Sequence, residues 1–88
     1  MSNAQGSITF VNESLYEVSI NRGSDFVIDL APRLSSTQNT APGEVWTIID
    51  KGTGREVDTV TGTDGDQTCH IKFKRSRGEP IKSGSGGN

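Results

Sequence analysis

The chain has 88 residues, a formal net charge of −2, a hydrophobic content of 30%, 11 Gly and 3 Pro. This size and composition specify one domain with a small core, rich in short strands and tight turns, with little room for an active-site cavity. No apolar run is long enough for a membrane helix and no charged-then-apolar leader opens the chain, so neither a membrane span nor a signal peptide is expected. A lone cysteine, Cys69, excludes an intrachain disulfide and points to a reducing, cytoplasmic setting.

Met1–Gly6 has no pattern and is expected to be unstructured, its first four residues a vector remnant. Ser7–Val11 alternates, with Ile8 and Phe10 on one face, and reads as a first strand. Asn12-Glu13-Ser14 reads as a turn, and is also formally a glycosylation sequon, which carries no meaning without secretion. Leu15–Asn21 is expected as a second strand with Tyr16, Val18 and Ile20 inward. Phe26–Leu30 is expected as a third, with Phe26, Ile28 and Leu30 inward. Leu34–Thr40 is polar and suits an edge strand whose main apolar contact is Leu34.

Pro42-Gly43 then turns the chain into Val45–Ile49, the densest β-branched run, which reads as a central strand apolar on both faces. It carries the only Trp, and Trp46 is expected to anchor the core, its burial contributing roughly 3 kcal/mol. Asp50-Lys51-Gly52-Thr53-Gly54 is a hairpin turn. In Arg55–Thr61 the alternation slips between Val57 and Val60, the signature of a β-bulge. After the turn cluster Thr61–Asp66 comes Gln67–Lys74, with Cys69, Ile71 and Phe73 inward and His70, Lys72 and Lys74 outward. The rest, 75–88, is basic and Gly/Ser-rich and is expected to be disordered. The domain is thus expected over 7–74. Apolar residues nowhere recur at helical spacing beyond two turns, so the fold class is all-β: a small β-sandwich of about seven antiparallel strands.

Catalytic and metal motifs are absent from the sequence. Cys69 and His70 are adjacent on a strand, point to opposite faces and cannot share a metal. His70 has no nucleophile turn to serve. Asp64-Gly65-Asp66 lacks calcium-loop spacing, and the glycines of Lys51–Arg55 do not lead into a helix. Neither an enzyme nor a cofactor is therefore expected. Charge is uneven: residues 1–71 carry four basic and ten acidic side chains, whereas 72–88 carry five basic and one acidic. The basic tail is a possible contact for nucleic acid, but an acidic body repels phosphates and the tail reads as its charge balance.

Four stretches in order carry a resemblance. They are Phe10-x-Asn12-x-Ser14, Leu30-Ala31-Pro32, Thr40-Ala41-Pro42-Gly43-Glu44-Val45-Trp46 and Asp50-Lys51-Gly52-Thr53. Together they resemble the family of the von Hippel–Lindau β-domain over about residues 8–73. The resemblance implies a β-sandwich of seven or eight strands that binds an extended peptide along a sheet edge. The family's hydroxyproline pocket uses a Tyr, a Ser, a His and a Trp, which fall here on Val27, Thr40, Glu44 and Trp46. Only Trp46 is retained and Thr40 is conservative, so the hydroxyproline pocket is not expected, and nothing after Phe73 supplies the family's ligase-recruiting helical domain. The sequence reading is thus a non-catalytic protein- or peptide-binding module using strand addition at Leu34–Thr40, with Thr40, Glu44 and Trp46 near the contact. The alternatives are an assembly subunit that self-associates or packs into a larger complex, and a small inhibitor-type domain.

Overall fold

The computed structural model describes residues 5–75, which form seven strands and no helix. These are β1 (Gly6–Asn12), β2 (Val18–Arg22), β3 (Asp25–Leu30), β4 (Ser35–Thr40), β5 (Val45–Asp50), β6 (Glu56–Thr61) and β7 (Asp66–Ile71). They make a three-stranded sheet in the order β4-β1-β7 and a four-stranded sheet in the order β3-β2-β5-β6. The expected all-β architecture is therefore present, with one difference in direction. β1 and β7 pair in parallel, Phe10 opposite Cys69, while the other pairings are antiparallel.

The core lies between the sheets. Ile8, Phe10 and Ile71 from one sheet meet Val18, Ile20, Leu30, Trp46 and Ile48 from the other. Trp46 has no exposed surface and its ring centroid lies 5.5 Å from that of Phe10 in a tilted contact, so the indole anchors the core as expected. β5 is central, flanked by β2 and β6, and carries apolar residues on both faces, but only one face is fully buried. Val45 is 46% exposed, and Thr47 and Ile49 continue that outer face.

Two register shifts explain where alternation misleads. In β3, Ile28 lies opposite Ile20 but Phe26 lies opposite Asn21, so Val27 is an extra residue. The bulge moves Phe26 to the face of Asn21, and the ring expected inward is 61% exposed. In β6, Ile48 faces Asp58 and Ile49 faces Glu56, leaving Val57 as the extra residue where the sequence slips.

Element ends differ for local reasons. β2 begins at Val18 because Asn12 captures the preceding segment. Its Nδ2 donates to the carbonyls of Tyr16 (2.8 Å) and Leu30 (2.9 Å), and its Oδ1 accepts from the Ser14 amide (3.0 Å). Residues 13–17 thus form a corner, and Leu15 projects outward, 74% exposed. With both Nδ2 protons donated inside the protein, the folded sequon offers no attachment point. Gly6 belongs to β1 rather than to a frayed start, and a Cβ there would strike the carbonyls of Thr63 and Gly65. β7 stops at Ile71, short of the expected Lys74. Arg75, expected in the tail, is instead held: its Nε and Nη2 each lie 2.8 Å from a carboxylate oxygen of the buried Asp50, and its guanidinium sits 4.1 Å from the centre of the Tyr16 ring. The rest of the expected tail, and residues 1–4, lie outside the described residues.

Candidate functional site

The three residues expected at a peptide contact do come together, but mostly in the interior. Trp46 Nε1 donates to Thr40 Oγ1 at 2.8 Å. The Thr40 hydroxyl proton has two acceptors at 3.1 Å, the Ala41 carbonyl and Glu44 Oε1, and Glu44 Oε1 also accepts from the Ala41 amide at 3.0 Å. Trp46 and Thr40 are enclosed, with 0% and 1% exposure. Glu44 is the member that reaches solvent, where Arg22 lies 3.8 Å from its carboxylate and 5.7 Å from the centre of the Trp46 ring. Gly62 seals the other side, since a Cβ there would strike the Thr40 hydroxyl. This network locks the end of β4 onto the β5 edge of the core. The indole N–H is satisfied inside the protein and is not offered to a ligand. Val27, the fourth carried-over position, is half-buried in β3 against the core.

The surface next to that network is the outer side of β4. Its free groups follow from ladder parity. The Ser7 amide donates to the Gly65 carbonyl on the β7 side, so Ser7, Thr9 and Val11 turn their backbone groups toward β7. Ile8 and Phe10 then turn theirs toward β4, as does Asn12, whose amide donates to the Leu34 carbonyl at 2.9 Å. Their partners Gln38 and Ser36 bond back to β1, which leaves Ser35, Thr37 and Asn39 with amide and carbonyl pointing away from the sheet. Among the described residues no strand pairs with that side.

β4 differs from the other edges in charge. β3 carries Asp25 and Asp29, β6 carries Glu56 and Asp58, and β7 carries Asp66; β4 reads Ser-Ser-Thr-Gln-Asn-Thr. Its outer face is a ladder of small polar side chains, with Thr37 Oγ1 2.8 Å from Thr9 Oγ1 across the pair, and its inner face holds Gln38 bonded to Ser36 Oγ at 2.8 Å. Leu34, expected to be the strand's apolar contact, stands just before it at 55% exposure. That exposed Leu and the parity of the free amides are what sequence reasoning missed. The polarity of the strand was legible, but parity requires a known neighbour.

Elsewhere the surface is charge-paired. His70 is exposed, as expected, with Nδ1 2.6 Å from Glu13 Oε2, and Lys72 lies 3.4 Å from the other oxygen. These two contacts hold the Glu13 carboxyl below its usual range, the His70 hydrogen bond most of all. Lys51, 2.7 Å from Asp29, does the same for that carboxyl, helped by Ser19. Surface hollows of about 320 Å³ and about 370 Å³ are lined by Glu17, Lys51, Gly52 and Arg75, and by Glu13, Ser14, Leu15, Lys72, Phe73 and Lys74; neither touches β4. Among the described residues no three His, Cys, Asp or Glu side chains gather as metal ligands, and no helix is long and apolar enough to cross a membrane. Neither a protein-family model nor a characterised protein matches the chain.

Proposed function

We propose that this chain is a peptide-binding module that accepts an extended segment as an added strand along β4. The observation that carries the reading is the unguarded edge: six residues without charge or proline, with the backbone groups of Ser35, Thr37 and Asn39 turned outward. Exposed edges are ordinarily blunted by charge, proline or bulges because they pair with whatever extended chain they meet. Backbone pairing would supply affinity, and the alternating neighbours of the added strand would supply selectivity. The resemblance noted above implies binding of the same kind. Thr40 and Trp46 act from beneath, fixing the end of the strand, while Glu44 flanks its exit.

The test is proline placed where only the outward amide is lost. Asn39→Pro removes a donor that β1 does not use, so the fold persists while peptides selected on the native protein lose at least about tenfold in affinity. Unchanged affinity in a folded Asn39→Pro variant would exclude β4.

A second reading has its own support. An antiparallel β4–β4 pairing about a two-fold axis at Thr37 sets Ser35 opposite Asn39 of the other copy, with no like charges facing. Sedimentation of the native protein distinguishes the two: a concentration-dependent dimer lost in Asn39→Pro favours assembly, and a monomer at high concentration favours peptide capture.

A further inference from the structure

β4 is entered and left by two turns of the same build. Ala31-Pro32-Arg33-Leu34 closes with the Leu34 amide on the Ala31 carbonyl at 3.2 Å, and Ala41-Pro42-Gly43-Glu44 closes with the Glu44 amide on the Ala41 carbonyl at 3.2 Å. Both place their third residue in the left-handed region, Gly43 at φ 88° and Arg33 at φ 71°. Glycine is the ordinary occupant of that position. Arg33 is the only non-glycine residue with positive φ among the described residues, so the molecule holds its own control for what the first turn would contain if folding alone decided.

The Arg33 side chain has no structural use to set against that strain. It is exposed, and among the described residues only its backbone amide is bonded, to the Asn12 carbonyl at 2.7 Å. It stands directly before exposed Leu34 and the unguarded strand. The surroundings share its sign. This end, residues 12–18, 29–35, 50–56 and 71–75, carries six cations (Arg33, Lys51, Arg55, Lys72, Lys74, Arg75) against five carboxylates (Glu13, Glu17, Asp29, Asp50, Glu56). The opposite end, residues 5–6, 22–25, 40–45 and 61–66, carries Arg22 against Asp25, Glu44, Asp64 and Asp66.

We propose that the β4 site is built for an extended segment that runs antiparallel to β4 and ends in a carboxylate held by Arg33, with an apolar residue beside Leu34. This rests on the reading of β4 as the peptide site and gives that ligand its chemistry and direction. A peptide laid antiparallel brings its C-terminal end to the cationic pole and its N-terminal end to the acidic one. The parallel orientation reverses both and opposes like charges. Guanidinium meets carboxylate through two parallel hydrogen bonds, a geometry lysine does not reproduce. The carboxylate belongs to the peptide C-terminus or to a Glu or Asp near it.

The experiment selects binders of the full chain from random peptides of about eight residues displayed with free C-termini, long enough to span the strand and the first turn. Synthetic winners are then measured by fluorescence anisotropy on the native protein, Arg33→Gly and Asn39→Pro. Arg33→Gly relieves the backbone, so its Tm rises or holds, and a loss of binding in it is not misfolding. The expected result is enrichment of acidic or free-carboxylate endings and roughly tenfold weaker binding to Arg33→Gly. Amidated and Glu→Gln peptides then tell a terminal from a side-chain carboxylate. Binding lost in Asn39→Pro but unmoved in Arg33→Gly overturns the carboxylate and leaves the β4 reading standing. Binding unmoved in both overturns the two together.

Discussion

β4 and β6 are both six-residue strands at the margin of a sheet, and they are finished in opposite ways. β6 has a bulge at Val57 and two acidic side chains, Glu56 and Asp58, both exposed. β4 has neither device. Their anchors differ as well. The hairpin that leads into β6 is held by charge: Asp50 is buried, accepts two hydrogen bonds from Arg75, and also takes the Gly52 amide at 3.1 Å. The end of β4 is held by the neutral pair of Thr40 hydroxyl and Trp46 indole, with Glu44 beyond. The difference teaches that a guarded margin can be read as structure, and that an unguarded one of equal length invites a partner.

Substitutions that loosen one side and leave the other test this contrast, beginning with the largest effect. Arg75→Ala strands the Asp50 carboxylate in the interior and costs about 3 kcal/mol in urea unfolding, while peptide binding at β4 persists. Acid does the same more gently. Arg75, followed by Thr53 and the Gly52 amide, holds the Asp50 carboxyl down at about 2 against an ordinary 3.8. A lowered pKa contributes stability that is present above the unfolded value and lost as pH falls through the folded one. About 2 kcal/mol therefore disappears between roughly pH 4 and pH 2, and that slope flattens in Asp50→Asn. On the β4 side, Thr40→Val leaves the Trp46 N–H without its acceptor and costs roughly 1–3 kcal/mol by thermal or urea unfolding. Its effect on binding exceeds that of Arg75→Ala. Smallest in stability, within about 0.5 kcal/mol, is the double change Glu56→Thr, Asp58→Thr, which strips the guard from β6. Light scattering should then report concentration-dependent association that the native protein lacks at β6; no change would mean that charge is not what protects this edge.

The sequence made the strand count and the Trp46 anchor legible, because alternation and a lone indole report burial directly. It made the β6 bulge legible too, since Val57 and Val60 fall out of phase. It did not reveal the β3 bulge: Phe26, Ile28 and Leu30 alternate perfectly, and only the partner register shows that Val27 interrupts them. Arg75 was hidden because an ion pair with Asp50, 25 residues away, leaves no local pattern. Thr40 and Glu44 were found as neighbours of Trp46, yet the burial of Thr40 was not, because a hydroxyl satisfied by an indole looks like any polar residue in a one-dimensional reading. Arg33 has no local sequence signal, and its left-handed backbone became visible only beside the matching turn at Gly43.

The central claim is that β4 is an open template with alternating free amides, and residue-resolved amide hydrogen exchange tests it most directly. In the native protein alone, the Thr37 and Asn39 amides should exchange rapidly while those of Ser36 and Gln38, bonded to β1, stay protected; a saturating selected peptide should slow Thr37 and Asn39 and leave β6 unchanged. Uniform protection along β4 before any peptide is added, or protection appearing on β3 or β6 instead, would contradict the account.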